Sequence, residues 1–302
     1  MQDSIDQLNR RFGIAGRIRC TSAADGFTRL QVVNDAASAE ISLYGGQLLD
    51  YRHRGDADNR LFVSRRAFFE RGRAIKGGVP ICWPWFGADP ENLGRGMHGL
   101  ARTREWSVEG AEEHDREHTV IELGLKEDRQ GLAVWPFRFG LTLRIHVGPS
   151  LGLALTTHNR DTQGFFITQA LHTYFAVDDI DQVRIDGLDG IDYLDKTLDF
   201  AQLRQNGPIS ISREVDRIYQ GVSSDIMLAD GSRHIRIAAE GATTAVVWNP
   251  WQIVARDMVD LDDGDYRRFV CIETANAADE VVHIEPDQRA TLSASYSWLD
   301  SL

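Results

Sequence analysis

The sequence predicts an all-β protein, a large antiparallel β-sandwich, and three observations carry that reading. Apolar and polar residues alternate along many short segments, glycine-containing turn pairs separate those segments, and helical periodicity is nearly absent. In FGLTLRIHVG, Leu141, Leu143, Ile145 and Val147 alternate with Thr142, Arg144 and His146, the period-two pattern of a half-buried strand. LGLALTTHN repeats it with Leu151, Leu153 and Leu155, and the Gly148-Pro149-Ser150 break between the two predicts a hairpin. VIELGLKED and ATLSASYSW alternate in the same way. Turn signals recur at Asp186-Gly187, Asp189-Gly190, Asn206-Gly207 and Asp230-Gly231. Helical spacing is confined to Ile5, Leu8 and Phe12 near the N-terminus and to a turn after Pro250. So many strands with so few helices argue against a parallel α/β sheet. No low-complexity linker or repeat interrupts the 302 residues, so a single domain is expected over 1–302.

Composition narrows the function classes. Acidic residues outnumber basic ones, 45 to 33, and the net charge of −12 disfavours a nucleic-acid partner. The hydrophobic residues are too scattered for a membrane span, and MQDSIDQLNRRFGIAG lacks the apolar stretch of a signal peptide. Cys20, Cys82 and Cys271 are widely spaced with no C-x-x-C pair, so neither a disulfide framework nor a zinc site is expected. The expected location is a reducing cytoplasm. One stretch departs from the acidic background. Arg60, Arg65, Arg66, Arg71, Arg73 and Lys76 fall within 17 residues with Glu70 as the only acid. This island is either a focus for an anionic ligand or a solvated face of local ion pairs.

Three literal motifs fail their structural context. Gly94-Arg95-Gly96-Met97-His98-Gly99 spells a dinucleotide fingerprint, but GADPENL before it is no strand and LARTREW after it opens no long helix. Gly148-Pro149-Ser150-Leu151-Gly152 spells a nucleophile elbow, which needs a strand-to-helix turn, whereas this one joins two strands. His114-Asp115-Arg116-Glu117-His118 spells a metalloprotease motif that must lie on a helix, but it fills a charged connection between strands.

Two titratable residues stand in apolar runs. His172 lies in FFITQALHTYFAV, read as one mostly buried strand, where an imidazole is either a hydrogen-bonded core residue or a working group. In RRFVCIETAN, alternation puts Phe269, Cys271 and Glu273 on one face, so that a carboxylate ends an apolar row. Burial raises a carboxylate's pKa and makes it a usable base near neutrality; an ion pair with an arginine is the other reading. KGGVPICWPWFG and Trp248-Asn249-Pro250-Trp251 offer flat indoles that suit either sugar C–H faces or plain core. GMHGLARTREW brings His98, Arg102 and Arg104 beside glycines.

Taken in order, GGVPICWPWFG, HGLAR, LHTYF, EVDRIY, WNPW and ETAN resemble the hexose-6-phosphate mutarotases, the glucose-6-phosphate 1-epimerases of the aldose 1-epimerase superfamily. The resemblance runs from about Ile41 to the C-terminal SYSW and implies the galactose mutarotase type of β-sandwich. It implies His172 and Glu273 as the catalytic pair and Arg102 and Asp216 as substrate-binding residues. Lys76 stands where relatives often carry arginine, which keeps the charge without the bidentate fork. Met97 stands where relatives often carry glutamine, and His98 is expected to line the pocket.

The implied reaction needs neither metal nor cofactor. Glu273 would take the proton of the C1 hydroxyl while protonated His172 gives one to the ring oxygen, and closure on the other face reverses the roles. The two groups are expected on opposite sides of the acetal. The rate is expected to fall in acid as Glu273 protonates and in alkali as His172 loses its proton. Lys76, Arg102 and Arg73 would hold a 6-phosphate, so the expected partner is a small sugar phosphate, the protein being a monomer or weak homodimer. Two rival readings are an aldose 1-epimerase for unphosphorylated sugars and a non-catalytic carbohydrate-binding module. The former relatives usually show Asn-His-Ser-Tyr-Phe where this chain has Leu171-His172-Thr173-Tyr174-Phe175.

Overall fold

Alternation does become strands. In the computed structural model, which describes residues 3–231 and 233–299, Phe139–Val147 and Ser150–Asn159 form a hairpin. Both bury every second residue. The ends of the domain expected over 1–302 lie outside the described residues. Among those residues, 23 strands make four sheets. The nine-stranded sheet runs in the order Ile209–Ser210, Val183–Asp186, Ile226–Asp230, Arg233–Glu240, Arg289–Leu299, Ser150–Asn159, Phe139–Val147, Thr119–Lys126, Ser107–Glu113. The eight-stranded sheet runs Ala201–Arg204, Asp192–Asp195, Val215–Gln220, Thr244–Asn249, Phe269–Asn276, Gln169–Leu171, Ile81–Cys82, with Tyr174–Ala176 also paired to Phe269–Asn276. Ile18–Ser22, Thr28–Val33, Ala37–Ser42 and Gln47–His53 form a four-stranded antiparallel sheet, and Phe165–Ile167 pairs with Val282–Ile284. Every strand pairing in these sheets is antiparallel.

One apolar core joins the two large sheets. Leu143, Ile145, Leu153 and Tyr296 of the nine-stranded sheet meet Leu171, Tyr219, Val247 and Ile272 of the other. This is the sandwich expected, since each sheet hides one apolar face against the other. The eight-stranded sheet also buries its second face. There Cys82, Ala170, Ala275, Val246 and Ile218 form a separate apolar floor, with Phe86, Leu194 and Trp248 packed against it. The registers Cys82↔Ala170↔Ala275 and Ile218↔Val246↔Glu273 put these small and aliphatic residues on the same face as Glu273. Small side chains there leave depth above the sheet, and the candidate site occupies it.

The two anticipated helices are present, Ile5–Phe12 with a Ser4–Gln7 capping box, and Trp251–Asp257 after Pro250. A third, Arg129–Val134, carries no apolar stripe in the sequence and was not anticipated. The three rejected motifs lie where their contexts required. Residues 114–118 fill the hairpin between Ser107–Glu113 and Thr119–Lys126, and Gly148-Pro149 turns between two strands. The loop holding Gly94 and Gly96 is knotted by Asp89, whose carboxylate accepts from the backbone of Glu91, Leu93 and Arg95 and pairs with the Arg95 guanidinium.

Candidate active site

The His172–Glu273 arrangement follows from a break in one strand. LHTYF is not the single strand that its apolar, aromatic composition suggests. Gln169–Leu171 ends with Leu171 opposite Thr274, and Tyr174–Ala176 starts with Tyr174 opposite Cys271. His172 and Thr173 fall in the gap between, facing Glu273 and Ile272 on the unbroken neighbour. Glu273 is likewise mid-strand, not the end of its row, because Ala275 continues the same face. The break is held on three sides. The His172 backbone N–H donates to Pro80 (3.1 Å), the Ile272 N–H donates to the Thr173 carbonyl (3.3 Å), and the Thr173 hydroxyl meets the Tyr296 hydroxyl at 2.6 Å. Thr173 thus turns into the core toward the opposite sheet, which leaves His172 on the other face.

There, His172 Nε2 lies 3.4 Å from Glu273 Oε1. Both residues are buried, at 8% and 2% exposure. The imidazole stacks on Tyr174 at 4.9 Å and meets Trp248 and His98 edge-on at 5.9 and 5.6 Å. Neither His172 Nδ1 nor Glu273 Oε2 has a hydrogen-bond partner among the described residues. Buried polar atoms are seldom left so without a reason, and a working site is one. The direct contact departs from the expected placement on opposite sides of a bound acetal.

Burial dominates both pKa values. It holds the His172 imidazole well below its ordinary range, with the charges of Arg102 and Lys76 and neighbouring His98 acting in the same direction. Burial also pushes Glu273 well above the ordinary carboxylate range, aided by Asp216 and opposed by Lys196 and Arg102. Both shifts act against the charged forms, so they favour the neutral pair with its proton on the carboxyl, contrary to the order expected for this pair.

The remaining anticipated residues spread around the pair. His98 takes a left-handed φ of 63°, its Nδ1 accepts from the Gly87 N–H, and its pKa is lowered to about 3 by burial and then by Arg102, Lys196 and Lys76. The following Gly99 is obligatory, since a Cβ there would sit 2.0 Å from the Trp83 carbonyl oxygen. Arg102, in a single 3₁₀ turn (Ala101–Thr103), donates from Nη2 to the Met97 carbonyl at 2.9 Å. The contribution of Met97 is this carbonyl, because its side chain is exposed. Asp216 lies directly across from Trp248 on the site face, and Lys196 reaches it at 2.6 Å. Burial still raises the Asp216 pKa, with Lys196 opposing.

The basic island divides between ion pairs and a cavity wall. Arg66 and Arg71 pair with Asp262 and Glu105 from exposed positions, and Arg60 pairs with Asp56 in a partly buried ion pair. Arg73 and Lys76 instead join Arg102 around a polar cavity of about 280 Å³, together with Phe68, Pro80, Tyr174 and Asp260. Tyr174 links this cavity to the His172–Glu273 pair, since His172 stacks on its ring. Two residues here were not anticipated, Lys196 and Asp260. Each is remote in sequence from the group it pairs with or lies beside no motif; only the acid-rich VDLDDGD, opposite in charge to the island, could have pointed to Asp260. Among the described residues, no group of three or more His, Cys, Asp or Glu side chains is placed to hold a metal ion. No described helix is long and apolar enough to cross a membrane.

Residues 28–297 match the model of the aldose 1-epimerase family. The chain belongs to that family. Among aldose 1-epimerase relatives, a Cenchrus ciliaris protein provisionally named glucose-6-phosphate 1-epimerase is 36% identical over 271 residues, covering 85% of this chain and 81% of its own. An Escherichia coli K12 protein with the same provisional name is 32% identical over 260 residues, covering 85% of each chain. A provisionally assigned mutarotase from Salmonella typhimurium superposes with a TM-score of 0.86 at 28% identity over 93% of each chain. The galactose mutarotase type of sandwich expected of the sequence is therefore the fold of this aldose 1-epimerase.

Proposed function

We propose that this aldose 1-epimerase interconverts the α and β anomers of a hexose 6-phosphate, with His172 and Glu273 as the proton-transfer pair. The observation that carries the reading is the cavity formed by Arg73, Lys76 and Arg102, joined through Tyr174 to the buried pair. Three cations suit a phosphate held away from the reacting carbon, and a neutral sugar would not need them. The provisional names of the relatives agree with this substrate.

The direct His172–Glu273 contact fits the chemistry. The C1 hydroxyl and ring oxygen are bonded to one carbon, so their two proton partners must themselves be neighbours. Ring opening consumes the form with ionised Glu273 and protonated His172, and leaves protonated Glu273 with neutral His172. Closure on the other face runs the same transfer backwards. Burial favours the second form, which is the one present while the sugar is open, and Arg102 and Lys196 pull Glu273 back toward ionisation. One proton shared by two buried groups with opposite shifts is an acid–base couple that need not exchange protons with solvent during a turnover. Lys76, Arg102 and Arg73 would take the phosphate, Asp216 and His98 would bind sugar hydroxyls, and the Met97 carbonyl would position Arg102.

Anomer-exchange NMR with glucose 6-phosphate, glucose and galactose at matched concentrations tests the substrate. Arg102→Ala should raise KM for glucose 6-phosphate at least about tenfold more than KM for glucose, because charge-assisted bonds to phosphate are lost. Equal loss on both sugars would favour an epimerase of unphosphorylated aldoses, and no exchange on any sugar would favour a binding module.

A further inference from the structure

The cation-lined cavity contains one acid. Asp260 lines it together with Arg73, Lys76 and Arg102, and its carboxylate lies 3.5 Å from Lys76 Nζ. Both side chains are mostly buried, at 20% and 18% exposure, so the pair is less screened than an ordinary surface ion pair. Among the described residues Asp260 makes no side-chain hydrogen bond, and this ion pair is its one side-chain polar contact. Arg102 has no acidic partner there, and Arg73 reaches Glu70 only at 3.9 Å while stacking over Phe68. Of the three cations, Lys76 is the one already held closely by a carboxylate inside the cavity.

The segment bearing Asp260 is fastened by other means. Ser64 donates to Asp265 at 3.0 Å, the Asp262 N–H donates to the same carboxylate at 2.9 Å, and Leu261 is buried in a cluster with Tyr266 and Phe269. Nothing in this fastening needs the Asp260 carboxylate. A half-buried acid with no structural bond of its own, set against the cation that an anion would use, has a different consequence. It competes with an incoming anion for Lys76.

On the reading that the cavity receives the substrate's phosphate, we propose that Asp260 is a specificity-determining residue: its carboxylate is an internal competitor for Lys76, and it limits how strongly the cavity prefers a phosphorylated sugar. The preference then depends on three cations opposed by one acid. Removing it sharpens the preference. Asp260 acts through Lys76, so its effect must vanish when Lys76 is gone.

The test compares wild type, Asp260→Asn, Lys76→Met, the double variant and Arg102→Ala, each checked for cooperative thermal unfolding. Asp260→Ser is the second variant should the asparagine protein fold poorly. Calorimetry with inorganic phosphate and exchange NMR with glucose 6-phosphate and glucose are the readouts. Asp260→Asn should bind inorganic phosphate about three- to tenfold tighter and raise the ratio of the glucose KM to the glucose-6-phosphate KM by a similar factor. The change should appear in KM, and adding Asp260→Asn to Lys76→Met should change neither quantity. Unchanged or weaker phosphate binding in folded Asp260→Asn, with Arg102→Ala still selective against phosphate, overturns the competitor role and leaves the hexose-phosphate reading standing. If Arg102→Ala shows no selectivity either, the hexose-phosphate reading falls and the role of Asp260 falls with it.

Discussion

Strand Phe139–Val147 buries alternate residues along its length, whereas strand Phe269–Asn276 buries all eight. The first belongs to the nine-stranded sheet, whose outer face carries exposed Arg144 between half-buried Thr142 and His146. The second belongs to the eight-stranded sheet, which is covered on both sides. A sheet with a wet face has only packing to perform on the other. A sheet covered twice must have something built over its second face, and here that face carries Glu273, Trp248 and Asp216 around the small floor of Cys82, Ala170 and Ala275. The two sheets share one core but divide the labour: one sets stability, the other sets geometry.

The sharpest way to break this division is to alter the pair itself. Glu273→Gln and His172→Asn should each lower anomer exchange by about 10²–10⁴-fold with little change in binding, and the double variant should be little worse than either. The pH profile sharpens it further. Gaining a second proton charges His172, whose pKa is lowered, and losing the last one charges Glu273, whose pKa is raised. The acid limb should therefore lie below the ordinary imidazole value of about 6.5 and the alkaline limb above the ordinary carboxylate value of about 4.3, both belonging to the pair. An acid limb above about pH 7 in exchange kinetics would show that His172 is not desolvated as described.

Leu143→Ala addresses the other sheet. Leu143 is fully buried, so its truncation should cost roughly 2–5 kcal/mol of unfolding free energy in denaturant titration, while the folded fraction keeps its turnover. A matching loss of turnover in the fully folded protein would mean that the sheets do not divide the labour. Thr173→Val lies where they meet. Losing the bond to Tyr296 should cost about 1–3 kcal/mol because a buried hydroxyl is left unpaired. It should also lower kcat roughly tenfold by releasing His172 from its position, with KM little changed. Wild-type kcat in that variant would show that the break is held by the backbone alone.

The same contrast explains what could be read in the sequence. Leu141, Leu143, Ile145 and Val147 announce their strand because one face is wet and the alternation survives. LHTYF does not announce its break, because a doubly covered sheet favours apolar residues whether or not the ladder is continuous. His172 and Glu273 stand out as titratable groups in apolar runs, but spacing alone could not say that they touch, since the contact depends on a two-residue gap in register. Of the island, Arg73 and Lys76 face the cavity while Arg60, Arg66 and Arg71 find acids elsewhere, and local charge pattern cannot separate them. Lys196 reaches the site from a segment without any motif, so only the fold reveals it, and Asp260 has no signal beyond the acid-rich VDLDDGD around it.

The Thr173–Tyr296 hydroxyl contact also sets a clock. A ribosome completes His172 well before it makes Glu273 and Tyr296, and synthesis proceeds at about 5–20 residues per second. Until the Arg289–Leu299 strand inserts between Arg233–Glu240 and Ser150–Asn159, the loop bearing His172 lacks its tether to the opposite sheet. A nascent chain therefore lacks this support for His172 until the Arg289–Leu299 strand is in place between its two neighbours.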